Sequence, residues 1–139
     1  MRIHTDGGAR GNPGPAACAF VATDDRGHLI HQQGFYLGVA TNNQAEYQAV
    51  IAALKWLNEQ MHKWPNEQIV NFYLDSQLVV NQLNGNFKVK DICLKTKFLE
   101  IRNYLDQLGQ LEIRNFEYVP RSQNAAADLL VNQTLDNHS

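Results

Sequence analysis

The chain has 139 residues, 44% of them hydrophobic and 19% charged, a balance that excludes a disordered chain and suits one compact domain over residues 1–139. Twelve basic residues against fourteen acidic ones leave a net charge of −2, so bulk charge announces no strongly basic nucleic-acid binder. No apolar run of about 18 residues exists, which excludes a membrane-spanning helix of the usual length, and the N-terminal MRIHTDGG lacks the apolar core of a secretory signal. Two cysteines, Cys18 and Cys93, are too few for a disulfide framework or a four-cysteine zinc site; they read as reduced core residues of a cytoplasmic protein.

Residues 1–5 predict a short strand ending at Asp6, and the glycine- and proline-rich 7–15 a loop. Residues 16–24 and 28–37 predict two strands joined by a hairpin turn at Asp25-Arg26-Gly27, making three adjacent antiparallel strands. Thr41 suits an N-cap, followed by a helix from about Asn42 to His62 that Pro65 and Asn66 stop. Glu46, Val50, Ala53, Leu54 and Leu57 recur at helical spacing, so Glu46 lies on the apolar, inward face. Residues 69–74 predict an apolar strand ending at Asp75, followed by a short helix from Ser76 to about Asn84. A loop follows from Gly85 to Asp91. Leu94, Phe98, Ile101, Leu105 and Leu108 mark an amphipathic helix that Gly109 ends. Residues 111–119 alternate as a strand. Ser122 or Asn124 caps a last helix to about Asp136, on which Asp128, Val131 and Leu135 share a face and turn Asp128 inward. The order βββ-α-β-α-α-β-α implies an α/β fold, a mixed sheet with helices on both faces. Trp56 and Phe98 read as core; Trp64 is less easily placed.

Four acids stand out by position. Asp6 and Asp75 sit at strand ends, where open α/β sheets form their ligand crevices. Glu46 and Asp128 sit on inward helix faces, and no lysine or arginine is at helical spacing from Glu46 on that face. A strand-end aspartate alone is a common turn former, and an acid near a helix start favours the helix dipole. Together the four would repel by several kcal/mol at an effective dielectric of about 20 unless something cationic offsets them. Oxygen-only donors select Mg²⁺, Mn²⁺ or Ca²⁺, and two such ions roughly 4 Å apart suit in-line phosphoryl displacement. The 7–15 loop is neither a Walker A nor a GxGxxG motif, but it puts approachable backbone and Asn12 beside Asp6. Thr41, Asn42 and Asn43 place polar groups at a helix N-terminus, a natural phosphate site.

HTDGGARGNPGP, TNNQAEYQAVIAAL, YLDSQLVVNQLNGNFKVK and VPRSQNAAADLLVN resemble, in order and spacing, the four signature blocks of type 1 ribonuclease H. The resemblance runs from Arg2 to about Asp136. It implies the ribonuclease H-like fold, a five-stranded mixed sheet in order 3-2-1-4-5 with strands 1–3 antiparallel. It also implies endonucleolytic hydrolysis of the RNA strand of RNA·DNA hybrids with Mg²⁺ or Mn²⁺, giving 5′-phosphate and 3′-hydroxyl ends. By that resemblance Asp6 bridges two metals, Glu46 and Asp75 complete one site, and Asp128 binds the ion that activates water. Gly11, Asn12, Asn43 and Gln77 resemble contacts to the hybrid's minor groove, and Thr41 and Asn42 a pocket for a DNA-strand phosphate. Lys88 and Lys90 stand where some members carry a basic protrusion.

Two departures follow. The loop Pro120-Arg121-Ser122-Gln123-Asn124 lacks the histidine that longer members carry there, and only the terminal His138 is a candidate to replace it. The basic protrusion is short, so hybrid binding should be weaker and its salt dependence shallow. The competing readings are a non-catalytic hybrid-binding module on the same fold, a structural Ca²⁺ site, and a detached reverse-transcriptase domain. All four acids are present, against the first, and the chain begins at its first strand without linker residues, which favours a complete small protein over the last; a monomer with no obligate protein partner is expected.

Overall fold

The structure is a computed structural model that describes residues 1–63, 68–109, 111–113 and 115–138. Strands β1 (Arg2–Ala9), β2 (Gly14–Thr23) and β3 (Leu29–Ala40) form an antiparallel meander. Helix α1 (Asn42–Gln60) passes into a 3₁₀ turn at Met61–Lys63, and β4 (Gln68–Leu74) follows. Helices α2 (Gln77–Leu83) and α3 (Ile92–Gln107) lead to β5 (Leu111–Ile113) and β6 (Glu117–Tyr118). A 3₁₀ turn at Arg121–Gln123 and α4 (Ala125–Asn137) close the chain. The sheet order is β3-β2-β1-β4-β5, with β6 also pairing with β4.

Alternation on β2 builds both layers. Phe20 and Ala22 face the larger core with α1, while Ala17 and Ala19 pack against Val131 and Leu135 of α4 on the opposite face. Trp56 and Phe98 are partly buried against the larger core, as expected; Trp64 and the stop at Pro65 and Asn66 lie outside the described residues.

The structure corrects the predicted elements in three places. β1 does not end at Asp6. It continues to Ala9, because Gly7, Gly8 and Ala9 are small enough to pair with Cys18, Ala17 and Ala16, and only 10–13 remain as loop. The predicted strand 111–119 is two strands. Phe116 bonds the Asn84 side chain at both its N–H (3.0 Å) and its C=O (2.8 Å), which takes it off the β4 ladder between β5 and β6. Cys18 is buried, but Cys93 is exposed on the outer face of α3 and is no core residue.

Candidate active site

Strand register brings the first two acids together. β1 and β4 run parallel with Ile3 opposite Phe72 and His4 opposite Tyr73, so continuing two residues sets Asp6 level with Asp75. Glu46 comes from the second turn of α1, whose start is fixed by a capping box: Gln44 N–H donates to Thr41 Oγ1 (3.1 Å), and Thr41 N–H to Gln44 Oε1 (3.0 Å). Gly7 lets that helix lie on β1. A Cβ there would be 2.2 Å from the Ala45 carbonyl carbon and 2.5 Å from the Glu46 nitrogen. The Gly7 N–H donates to Glu46 Oε1 (3.3 Å). Carboxylate oxygens of Asp6, Glu46 and Asp75 lie within 4.8 Å of one another.

Asp6 and Glu46 are only 5% and 6% exposed. Burial first, and then the Asp75 charge, push the Asp6 carboxyl up to about 7, although Glu46 partly offsets this by donating a hydrogen bond to it. Burial, and then the Asp6 charge, hold Glu46 well above the carboxylate range. Among the described residues no lysine or arginine forms an ion pair with these three acids. Glu46 Oε2 is buried with no hydrogen-bond partner. A cluster of hard oxygen donors, short of cationic charge and with one acceptor unused, fits a divalent ion such as Mg²⁺ or Mn²⁺.

Asp128 departs from its expected placement. It is exposed in the first turn of α4, outside the three-acid cluster, while Ala127, Val131 and Leu135 make the buried face. At the start of α4 it meets an open cleft rather than core. Asp128 lines that cleft, about 350 Å³ in volume, with the other three acids, and its charge raises the Asp6 carboxyl further.

The expected substrate contacts divide. Asn42 and Asn43 line the cleft. Asn12 and Asn42 hold the loop to α1: Asn42 N–H donates to Asn12 Oδ1 (3.0 Å), and Ala9 N–H to Asn42 Oδ1 (2.8 Å). Gly11 is in the left-handed region, φ 90°, which glycine takes without strain. Gly11, Thr41 and Gln77 each adjoin a cleft residue, while Lys88 and Lys90 are exposed on the separate 85–91 loop. His138 does not reach the site. Its ring stacks on Tyr36 (4.2 Å between centroids) and its Nδ1 meets the Thr134 carbonyl (3.0 Å), ten residues and so about 15 Å along the helix from Asp128.

Two residues with no site role in the sequence analysis stand at the site, Arg121 in the cleft and Asn124 buried beneath it. Arg121 lines the cleft from the loop that lacks the histidine. Asn124, expected at most to cap α4, makes no cap bond; its amide donates to the Thr5 carbonyl (2.9 Å) and to Asp75 Oδ2 (3.3 Å). A helix cap and a side chain that hydrogen-bonds an acid of the cluster share one residue type, so the sequence held no signal to separate them.

The family model described as reverse transcriptase-like matches residues 4–134. The chain is 40% identical over 137 residues to the ribonuclease HI of Halobacterium salinarum, covering 97% of this chain and 65% of that protein. It is 38% identical over 135 residues to the bifunctional protein Rv2228c of Mycobacterium tuberculosis, covering 96% of this chain and 35% of that one. The chain therefore spans about two thirds or one third of the length of these relatives. Among solved structures, LC11-RNase H1 in complex with an RNA/DNA hybrid superposes with a TM-score of 0.88 at 41% identity, covering 99% of this chain and 97% of that one. With fold, acid cluster and near-complete alignment in agreement, the chain belongs to the type 1 ribonuclease H family.

Proposed function

We propose that residues 1–139 form one catalytic domain that cuts the RNA strand of RNA·DNA hybrids endonucleolytically, leaving 5′-phosphate and 3′-hydroxyl ends. The observation that carries this reading is the meeting of Asp6, Glu46 and Asp75 within 4.8 Å in an open cleft, the first two buried and the third half-buried, with no lysine or arginine ion-paired to them among the described residues. The hybrid held by the LC11 enzyme, similar over nearly the whole chain, supports the substrate class. Two divalent ions, when bound, supply charge for the pentacoordinate phosphate and acidify the attacking water. The protein's part is to hold them. Asp6, Glu46 and Asp75 would hold them at the cluster. Asp128, exposed at the cleft wall, would add a fourth carboxylate toward the ion that activates water. Asn42 and Asn43 meet the nucleic acid in the cleft. Asn12, Gly11, Thr41 and Gln77 extend that surface, and Lys88 and Lys90 add a small electrostatic grip. Hybrids are preferred because 2′-hydroxyls mark the strand to be cut and the DNA strand must bend to its pocket. The protein acts as a monomer in a reducing cytoplasm.

The test is cleavage of an end-labelled hybrid in Mg²⁺, Mn²⁺ or EDTA, beside single-stranded RNA, double-stranded RNA and double-stranded DNA. Cutting confined to the hybrid's RNA strand, and lost in EDTA, is the expected result. Folded protein that binds the hybrid in either metal without cutting it would make the chain a binding module instead.

A further inference from the structure

We infer that Asn124 is a positioning residue of the acid cluster, the side chain that sets the orientation of the Asp75 carboxylate relative to Asp6. The inference rests on the catalytic reading above and adds a residue to it. Asn124 is 2% exposed at the junction of the last 3₁₀ turn and α4. Its Nδ2 spans two strands, donating to the carbonyl of Thr5, next to Asp6 on β1, and to Oδ2 of Asp75 just past β4. Both groups are acceptors only, so the amide can face them only with its nitrogen. Its backbone carbonyl accepts the Asp128 N–H (3.1 Å). One residue thus touches the elements that carry three of the four acids.

Two features separate this from an ordinary structural asparagine. Asparagine at an N-cap normally accepts a backbone N–H of the first helical turn. Here φ −120° and ψ 22° leave the extended region, no cap bond forms, and the side chain turns to the sheet. Its Oδ1 is also buried without a partner. Folding alone would favour the cap and a satisfied oxygen. The geometry instead serves Asp75, tethering its Oδ2 while the carboxylate takes its place in the cluster with Asp6 and Glu46. Removing the amide frees the Asp75 carboxylate to rotate. Replacing it by the equal-sized carboxylate of Asn124→Asp sets an acceptor against two acceptors.

The test pairs two variants with a measurement on the unaltered protein. Asn124→Ala should lower kcat and weaken Mn²⁺ binding, read by calorimetry on the protein alone, each by about 10–100-fold, as for other groups that orient metal ligands. KM for the hybrid should change little, because Asn124 does not face the nucleic acid. Asn124→Asp should lose more than Asn124→Ala. In the unaltered protein the Asn124 side-chain amide resonances should shift on Mg²⁺ titration, a readout that does not require either variant to fold. A cleaving parent enzyme whose Asn124→Ala form keeps kcat and Mn²⁺ affinity within about twofold overturns the inference but leaves the catalytic reading intact. So does an Asn124 amide that is indifferent to Mg²⁺ while the acid cluster binds it. A parent enzyme that binds metal but does not cut defeats the catalytic reading instead.

Discussion

At the site each acid has a different environment, so substitutions should separate them. Asp6 and Asp75 converge on the same space. Asp6→Asn and Asp75→Asn should each lower single-turnover cleavage by roughly 10³-fold, the loss of several kcal/mol of charge stabilisation. The metal-free fold should hold or gain stability, since each change removes one of the mutually repelling charges. Activity within a few-fold of the parent in either variant would remove that residue from the metal site. Gly7 is as constrained as the acids although it carries no chemistry. Gly7→Ala drives a methyl into the Ala45–Glu46 backbone, contacts no flexible side chain can relieve. It should cost roughly 3 kcal/mol in urea unfolding, the upper end of overpacking penalties, and activity should fall with it because α1 carries Glu46. A Gly7→Ala variant of parental stability would show that α1 moves off β1 at little cost.

Element boundaries were legible where side-chain periodicity decides them and illegible where a distant group does. The apolar stepping of α1 and α3 and the apolar run of β4 predicted those elements to within a few residues. The glycines after Asp6 read as a loop because glycine is usually a turn former, yet here it extends β1 beneath a closely packed helix. Asp128 read as buried because periodicity reports the face of a helix, not whether the core continues beneath that end. The break between β5 and β6 had no local signal at all. It comes from Asn84, thirty-two residues away in sequence, whose amide imitates a strand and bonds Phe116 at both backbone groups. Asn84→Ala leaves a buried residue's N–H and C=O unpaired, which should cost about 2 kcal/mol. Amide exchange should quicken at Phe116 and at Val119, which bonds Leu74 at the end of β4, while β1 and β2 keep their protection. Unchanged exchange at Phe116 would mean that water replaces the Asn84 amide without loss.

Across the whole molecule the acid cluster couples folding to protons and to metal. In metal-free protein the carboxyls of Asp6, raised to about 7, and of Glu46, also raised, hold protons at pH values where the unfolded chain has already ionised. The folded state then binds more protons than the unfolded one, so stability falls as pH rises from the ordinary carboxylate range through about 7. Each such proton contributes a slope of about 1.4 kcal/mol per pH unit. His4 opposes this, because burial lowers its pKa from 6.5 and its share of stability grows as pH rises toward that value. Asp6→Asn keeps His4, so the difference between the two proteins isolates the carboxylate share. In EDTA the parent should lose stability between pH 5 and pH 7 relative to Asp6→Asn. Saturating Mg²⁺ should restore the parent progressively more as pH rises, since ions displace the protons held by Asp6 and Glu46 and bind more tightly as those protons leave. Urea unfolding of both proteins at several pH values, with and without Mg²⁺, reads both effects. Parallel pH curves for parent and Asp6→Asn in EDTA would mean that the carboxylates are already ionised in the folded protein and that their closeness costs it nothing.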